Sequence, residues 1–329
     1  IVDSIPTNIK KAISVGIGLL IALLGLEGAG IVVHPKDGGT IVALGNITSG
    51  AGLLAIIGIV ITGILVARKV KGALFLGMII TAIIGIPMGV VNLPDKIFSM
   101  PPSISSTFMQ FEWHNIFSWD MVIVLFTLLF MDMFDTIGTL VGVATKANML
   151  DKDGRVPNIK KALFADAIGT TVGACLGTST VSTFVESASG VAEGGRTGLT
   201  AVSTAFMFFL ALFLSPVFGV ITSAVTASVL VIVGLFMIEN IKELNLEDYT
   251  EAIPAFLTII MMPFAYSITD GIGFGVISYV VINFIIWIIE MIKYKSKKLE
   301  EKPKLEISIV LLIIFVLFLV YFLVPTKLN

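Results

Sequence analysis

Ten apolar runs, each about as long as a bilayer-crossing helix, succeed one another along this 329-residue chain: 12–33, 51–67, 73–92, 121–145, 162–177, 199–217, 222–238, 252–268, 273–292 and 306–324. They predict an all-α polytopic membrane protein. Composition agrees, since 56% of residues are hydrophobic, mean hydropathy is +1.02 and only 13% are charged, against about 25% in soluble domains. The charge deficit runs the whole length, so this is not a soluble core with one anchor. A net charge of −2 offers no basic surface for nucleic acid. Cys175 is the single cysteine and has no internal disulfide partner, and with two histidines it makes no zinc-type cluster. No secretory signal is expected, because the first apolar run is too long for one. The chain opens on Ile1 and not Met, a hint of sequence upstream.

The stretch 178–196 is ambiguous, being rich in Ser, Thr and Gly yet flanked by two good spans. Charge decides it, because cytoplasmic loops collect Lys and Arg. If 178–196 crosses, there are eleven crossings with the N-terminus inside, and 18 Lys and Arg residues fall inside against Lys36, Lys96 and Lys327 outside. If it stays outside as a loop, every later loop flips and the split becomes 11 to 10. The stretch is therefore expected to cross. Irregular backbone is tolerated at membrane depth only where it lines a cavity inside protein. Thr178–Phe184 reads as an extended strand, β-prone and hydroxyl-rich. From Glu186 the run ESASGVAEGG reads as a short helix ending at Gly194–Gly195. A strand followed by a half-helix at mid-membrane is a substrate-binding device of transporters. On helix 162–177, Gly169, Gly173 and Gly177 form a small-residue stripe, read as close packing against a neighbouring helix.

Four carboxylates lie within these segments: Asp132, Asp135, Asp166 and Glu186. An ionisable group at the bilayer centre costs at least ~2.5–3.5 kcal/mol and normally faces a pathway or a partner. Asp135 lies roughly 15 Å of helix from either end of its span, at about 1.5 Å per residue. A carboxyl at that depth is a candidate to gain and lose a proton. Asp132, three residues earlier, shares nearly the same face, and two such close carboxylates resist being ionised together. A structural pairing of either acid with another helix is the competing reading. Glu186 sits where strand becomes half-helix, as a helix cap or as an acceptor for the N–H groups of a flat, neutral ligand, and Phe184 shares its strand face. Asp166 compensates a helix dipole or takes part in function. Glu193 and Arg196 read as a local pair, Asp270 as a loop acid, Glu27 as unexplained, and His34 and His114 as outer-loop residues without a role. No Walker A, nucleophile elbow, HExxH or dinucleotide fingerprint is present, so neither an enzyme nor a cofactor is expected.

The runs FMDMFDTIGTLVGVATKANMLDKDGR (130–155), IKKALFADAIGTTVGACLGTSTVSTFVESASGVAEGGRTGLTAV (159–202) and EAIPAFLTIIMMPFAYSITDGIGFGVISY (251–279) carry a likeness. With the first three spans, they make the chain resemble the AzgA-like purine permeases (hypoxanthine, guanine, adenine) of the nucleobase/ascorbate transporter superfamily. The resemblance implies fourteen membrane segments in two inverted repeats, divided into core and gate domains, with proton-coupled transport. By motif, it makes Asp135 the substrate- and proton-linked acid of the central helix, Glu186 the acid that reads the base and Phe184 its aromatic neighbour. Thr139 would line the site where uracil-type relatives carry a histidine, and Asp132 and Asp166 would assist proton coupling. The family's first four segments have no counterpart here, and 306–324 follows its last expected helix.

The expectation is thus gate-type helices over 1–118, half a core domain with the site over 119–220, and gate-type helices with a C-terminal span over 221–329. Expected partners are a purine base, a proton (or Na⁺), the lipid bilayer of the cell membrane and, for assembly, a second copy in a homodimer. The rivals are a uracil or xanthine permease of the same superfamily and a truncated membrane paralogue that does not transport. An inorganic-anion carrier is disfavoured, because Glu186 would cancel a positive helix terminus.

Overall fold

The computed structural model describes residues 4–35, 40–48, 50–94, 96–111, 118–151, 155–184, 186–296, 303–305 and 307–323. His114 and, among the counted charges, Lys36, Lys152, Lys297, Lys298, Lys302 and Lys327 lie outside them. Each of the ten apolar runs holds a helix among the described residues. In chain order the helices are α1 (Thr7–Gly28), α2 (Gly50–Ala67), α3 (Ala73–Gly85), α4 (Trp119–Lys146), α5 (Ile159–Leu176), α6 (Ser187–Ala192), α7 (Gly198–Phe213), α8 (Ser215–Phe218), α9 (Ser223–Ile238), α10 (Tyr249–Ala265), α11 (Ile268–Lys295) and α12 (Ile309–Leu323). A small antiparallel hairpin, β1 (Val32–Val33) with β2 (Ala43–Leu44), follows α1. Five stretches are long and apolar enough to cross a membrane: Thr7–Gly28, Gly50–Ala67, Leu128–Thr145, Ser223–Glu243 and Ile268–Lys295. The apolar helices α3, α7, α10 and α12 are shorter. This is a multi-pass, all-α membrane architecture.

Two boundaries move for local reasons. The chain leaves α1 at Gly28, and Gly30 at φ 71 turns it into β1. At the other end of the chain, α11 begins five residues before its apolar run, because the Ser267 hydroxyl accepts the Asp270 N–H at 3.0 Å and caps the helix.

The chain divides into two compact units, Ile1–Ile17 with Ser105–Val185 and Glu239–Asn329, and Gly18–Ile104 with Glu186–Ile238. In the first, α10 and α11 form a tight hairpin in which Gly271 and Gly275 admit Met262 and Thr258. Small residues at such a crossing let backbones approach, which is how helices associate where no hydrophobic drive exists. Pro254 cannot give an N–H to the Thr250 carbonyl one turn back, and the Asn283 side chain of α11 donates to that oxygen at 3.4 Å. The start of α1 joins this unit through Ser14, whose hydroxyl donates to Gly142 O on α4 and accepts from Asn240. α12 is bound by aromatic contacts, with Phe318 packed on Phe130 and Phe134 of α4.

The second unit layers α2, α3 and α9 on the remainder of α1. Gly58 of α2 receives Thr81 of α3, and Gly77 of α3 receives Thr62 of α2, a reciprocal glycine–threonine fit. Gly18 and Gly234 bring α1 and α9 into backbone contact. Leu54, Ala55, Val225 and Ala227 fill the centre.

Loop contacts test the topology read from charge. Within the second unit, the Gly72 N–H donates to Glu193 Oε2 at 3.1 Å, and Ser99 N–H donates to Phe213 O at 2.9 Å. Within the first, Lys11 meets Glu243 at 3.3 Å. Each contact joins loops that share a side if 178–196 crosses, and each would join opposite sides if it did not. The eleven-crossing arrangement fits all three.

The crossing stretch itself differs from expectation in detail. Residues 178–184 are non-helical as expected, but among the described residues they pair with no strand. The Thr170 hydroxyl of α5 instead accepts the Val181 N–H and donates to the Val181 carbonyl, both at 3.2 Å. One side chain thereby does for this residue what a neighbouring strand would do. The glycine stripe is correspondingly reassigned. Gly169 and Gly173 face Val181 and Thr178 of this segment and not another helix, while Gly177, at φ 84, ends α5 in a left-handed cap.

Candidate functional site

Helix α4 carries Asp132, Asp135, Thr136 and Thr139 over little more than two turns. Asp135 reaches the first turn of α11, where its Oδ1 accepts from the Thr269 hydroxyl at 2.6 Å and from the Thr269 backbone N–H at 3.1 Å. Thr269 lies among the N–H groups that a helix start leaves without intrahelical acceptors. A carboxylate there is favoured by both hydrogen bonding and the helix dipole, by up to ~2 kcal/mol in partly buried geometry. Asp135 thus ties the middle of α4 to the beginning of α11.

Asp166 of α5 accepts from Thr136 of α4 at 3.2 Å and from Thr183 at 3.4 Å. Thr180, in the same non-helical stretch, reaches the Asp132 carboxylate, whose Oδ1 is buried without a donor among the described residues. The hydroxyls of TSTVST therefore serve the acids of α4 and α5. Asp132 and Asp166 lie close enough to feel each other's charge, as do Asp135 and Asp132. Thr139, one turn beyond Asp135, is 2% exposed. Among the described residues, no Lys or Arg pairs with any of these acids. These carboxylates are thus supported by hydroxyl and amide donors and not, among the described residues, by a basic side chain.

Phe184, the last described residue of that segment, is 61% exposed. Glu186 opens the second stretch of the second unit and is exposed. It occupies the N-cap of α6, yet its side chain makes no capping bond; Ser189 bonds its carbonyl instead, at 2.7 Å. The capping alternative for Glu186 is thus not used. Glu193 and Arg196 also differ from expectation. Glu193 accepts from Gly72, and Arg196 donates to the carbonyls of Val191 and Gly195. Glu27 finds a partner in His34, 3.4 Å away, while the other ring nitrogen of His34 bonds Ile41 O.

Asp270 was misplaced by sequence. It is no loop acid but stands in the first turn of α11, beside Thr269 and within electrostatic reach of Asp135. A legible signal existed: Ser267-x-x-Asp270 ahead of an apolar run is a helix-start signature.

A model of the Permease family matches residues 1–274. The chain belongs to that family. Several of its curated relatives are permeases by name. A putative permease of Methanocaldococcus jannaschii is 48% identical over 283 residues, 86% of this chain and 64% of the relative. The guanine/hypoxanthine permease PbuG of Bacillus subtilis is 42% identical over 324 residues, 98% of this chain and 70% of its own length. The adenine permease AdeQ of Escherichia coli is 38% identical over 282 residues, 86% of this chain and 63% of the relative. This permease-family chain therefore spans about two thirds of the length of the relatives it matches. The match to PbuG extends over nearly all of it, α12 included by its coverage.

Proposed function

We propose that this chain carries the substrate site of a purine-base permease that takes up hypoxanthine, guanine or adenine, driven by a proton gradient. The observation that supports it most is the likeness, over 98% of this chain, to a guanine/hypoxanthine permease, joined to an adenine permease among the other relatives. In this reading the exposed Glu186 carboxylate accepts hydrogen bonds from the N–H edge of the base, and Phe184 lies against its ring. Asp135 contributes to base binding and exchanges a proton during the cycle, Thr139 lines the site, and Asp132 and Asp166 support the proton step. Residues 119–220 act as the core-type segment, and 1–118 with 221–329 as gate-type helices, whose relative motion alternates access. No bound cofactor takes part.

The test is uptake of labelled base into cells lacking their own permeases, using the longest natural form of the protein. Unlabelled hypoxanthine, guanine or adenine should compete, and uracil and xanthine should not. Glu186→Gln should lower uptake by roughly one to two orders of magnitude, since each hydrogen bond to a charged group contributes about 1.5–3 kcal/mol. Membrane insertion should be unchanged. Parental uptake by this variant would remove Glu186 from the site, and competition by uracil would move the substrate to the pyrimidine class.

A further inference from the structure

The C-terminal helix α12 lies beyond the 1–274 family match, and the reading above gives it no part in the proton step. Its packing is not that of a simple anchor. Tyr321 stacks on Phe130 of α4 at 4.9 Å between ring centroids and 26° between planes. Phe318 is fully buried and touches both Phe130, at 5.0 Å, and Phe134, at 4.6 Å. Phe134 is the immediate neighbour of Asp135. On α11, Gly273 leaves room for Phe318 and Phe322, and Phe274, one turn past Asp270, lies 5.5 Å from Phe322. α12 is thus locked to both helices that meet at the Asp135–Thr269 bond. The stack delivers a polar group to the same place, for the Tyr321 hydroxyl reaches the Asp270 carboxylate. The titratable groups around it are Asp270 of α11 and Asp135 of α4, with Asp132 next along α4. No Lys or Arg pairs with them among the described residues.

We propose that Tyr321 is a positioning residue for the acid site, holding Asp270 and through it the charge environment of Asp135, so that α12 is a working part of proton exchange. Sequential hydrogen bonds give the physical link. Thr269 holds Asp135 of α4, its neighbour Asp270 is held by Tyr321, and Thr269 and Asp270 share the first turn of α11. A change of protonation at one acid is felt at the other, and the tyrosine hydroxyl sets where Asp270 stands. The inference rests on the reading of Asp135 as a proton-linked acid.

Tyr321→Phe is the test, because it keeps the ring stack and removes only the hydroxyl. In the longest natural form of the protein, concentrative uptake of labelled hypoxanthine should fall roughly tenfold, the size expected for one lost hydrogen bond to a charged group. Exchange of internal for external base, which needs no net proton movement, should stay within about twofold. A transport-independent measurement accompanies it: thermal unfolding of the purified protein followed across pH. The Tm difference between parent and Tyr321→Phe should change with pH, and it should flatten when Asp270→Asn is present in both, as a double-mutant cycle requires of coupled groups. A Tm difference constant across pH, or uptake and exchange reduced alike, would reduce Tyr321 to packing. Parental accumulation by Tyr321→Phe would overturn the role even if the thermal coupling is found. A parent that accumulates no purine overturns the functional reading itself, a result distinct from a variant that matches an active parent.

Discussion

Asp135→Asn is expected to abolish accumulation of labelled base while leaving a folded, membrane-inserted protein. The reason lies in the two jobs that one carboxylate performs. As an acceptor, Asp135 takes both hydrogen bonds of Thr269 on a single oxygen, Oδ1. Asparagine retains that oxygen and can keep the tie between α4 and α11, losing only the charge contribution at the helix start, up to ~2 kcal/mol in partly buried geometry. As an acid, Asp135 can take up and release a proton, and asparagine cannot. Uptake should therefore fall to background, while size-exclusion profiles of the extracted protein match the parent. Asp135→Leu separates the jobs from the other side. It removes the acceptor as well, leaves the Thr269 N–H at a part-buried helix start without it while the hydroxyl keeps the Met131 carbonyl at 3.2 Å, and should cost about 1–3 kcal/mol for the lost partner. Normal accumulation by Asp135→Asn would show that the acid is only a tertiary helix cap.

Hydropathy and charge made much of this legible. The ten helices followed from apolar runs, because the bilayer sets both their length and their need to satisfy backbone groups internally. The crossing of 178–196 is an expectation from Lys and Arg placement, with which the contact of Gly72 with Glu193 is compatible. The acids stood out because carboxylates are costly in such segments. What local sequence cannot express is the partner. Asp135 is held by a threonine 134 residues away, and nothing in MDMFDTIGT names that residue. The glycine stripe of α5 looked like a helix–helix surface, since the spacing of small residues reports only that something approaches closely. Here the neighbour is the segment that immediately follows, turned back by the left-handed Gly177. Similarly, Glu27 read as an isolated acid in the first span, and its partner His34 comes into reach because the chain turns at Gly30.

Gly275→Val should be the most damaging single substitution for folding in the first unit. A Cβ at Gly275 would overlap the Thr258 hydroxyl oxygen, with Thr258 Cβ at 3.2 Å and Pro254 O at 3.4 Å closing the other directions. Thr258 cannot simply swing aside. It is fully buried, its hydroxyl donates to Pro254 O at 2.9 Å, and a β-branched side chain in a helix has few χ1 alternatives. The helices must therefore separate, and with them the hairpin whose turn presents Thr269 to Asp135. Inserting even one methyl into such a contact costs about 1–3 kcal/mol, so Gly275→Ala should lower thermal stability measurably and Gly275→Val should prevent recovery of folded protein. Thr258→Ala is expected to be mild alone and to rescue much of the Gly275→Ala defect, because it removes the oxygen that the new methyl meets. Additive losses in the double variant would mean that the two residues do not share this contact, and the close α10–α11 approach would then need another cause.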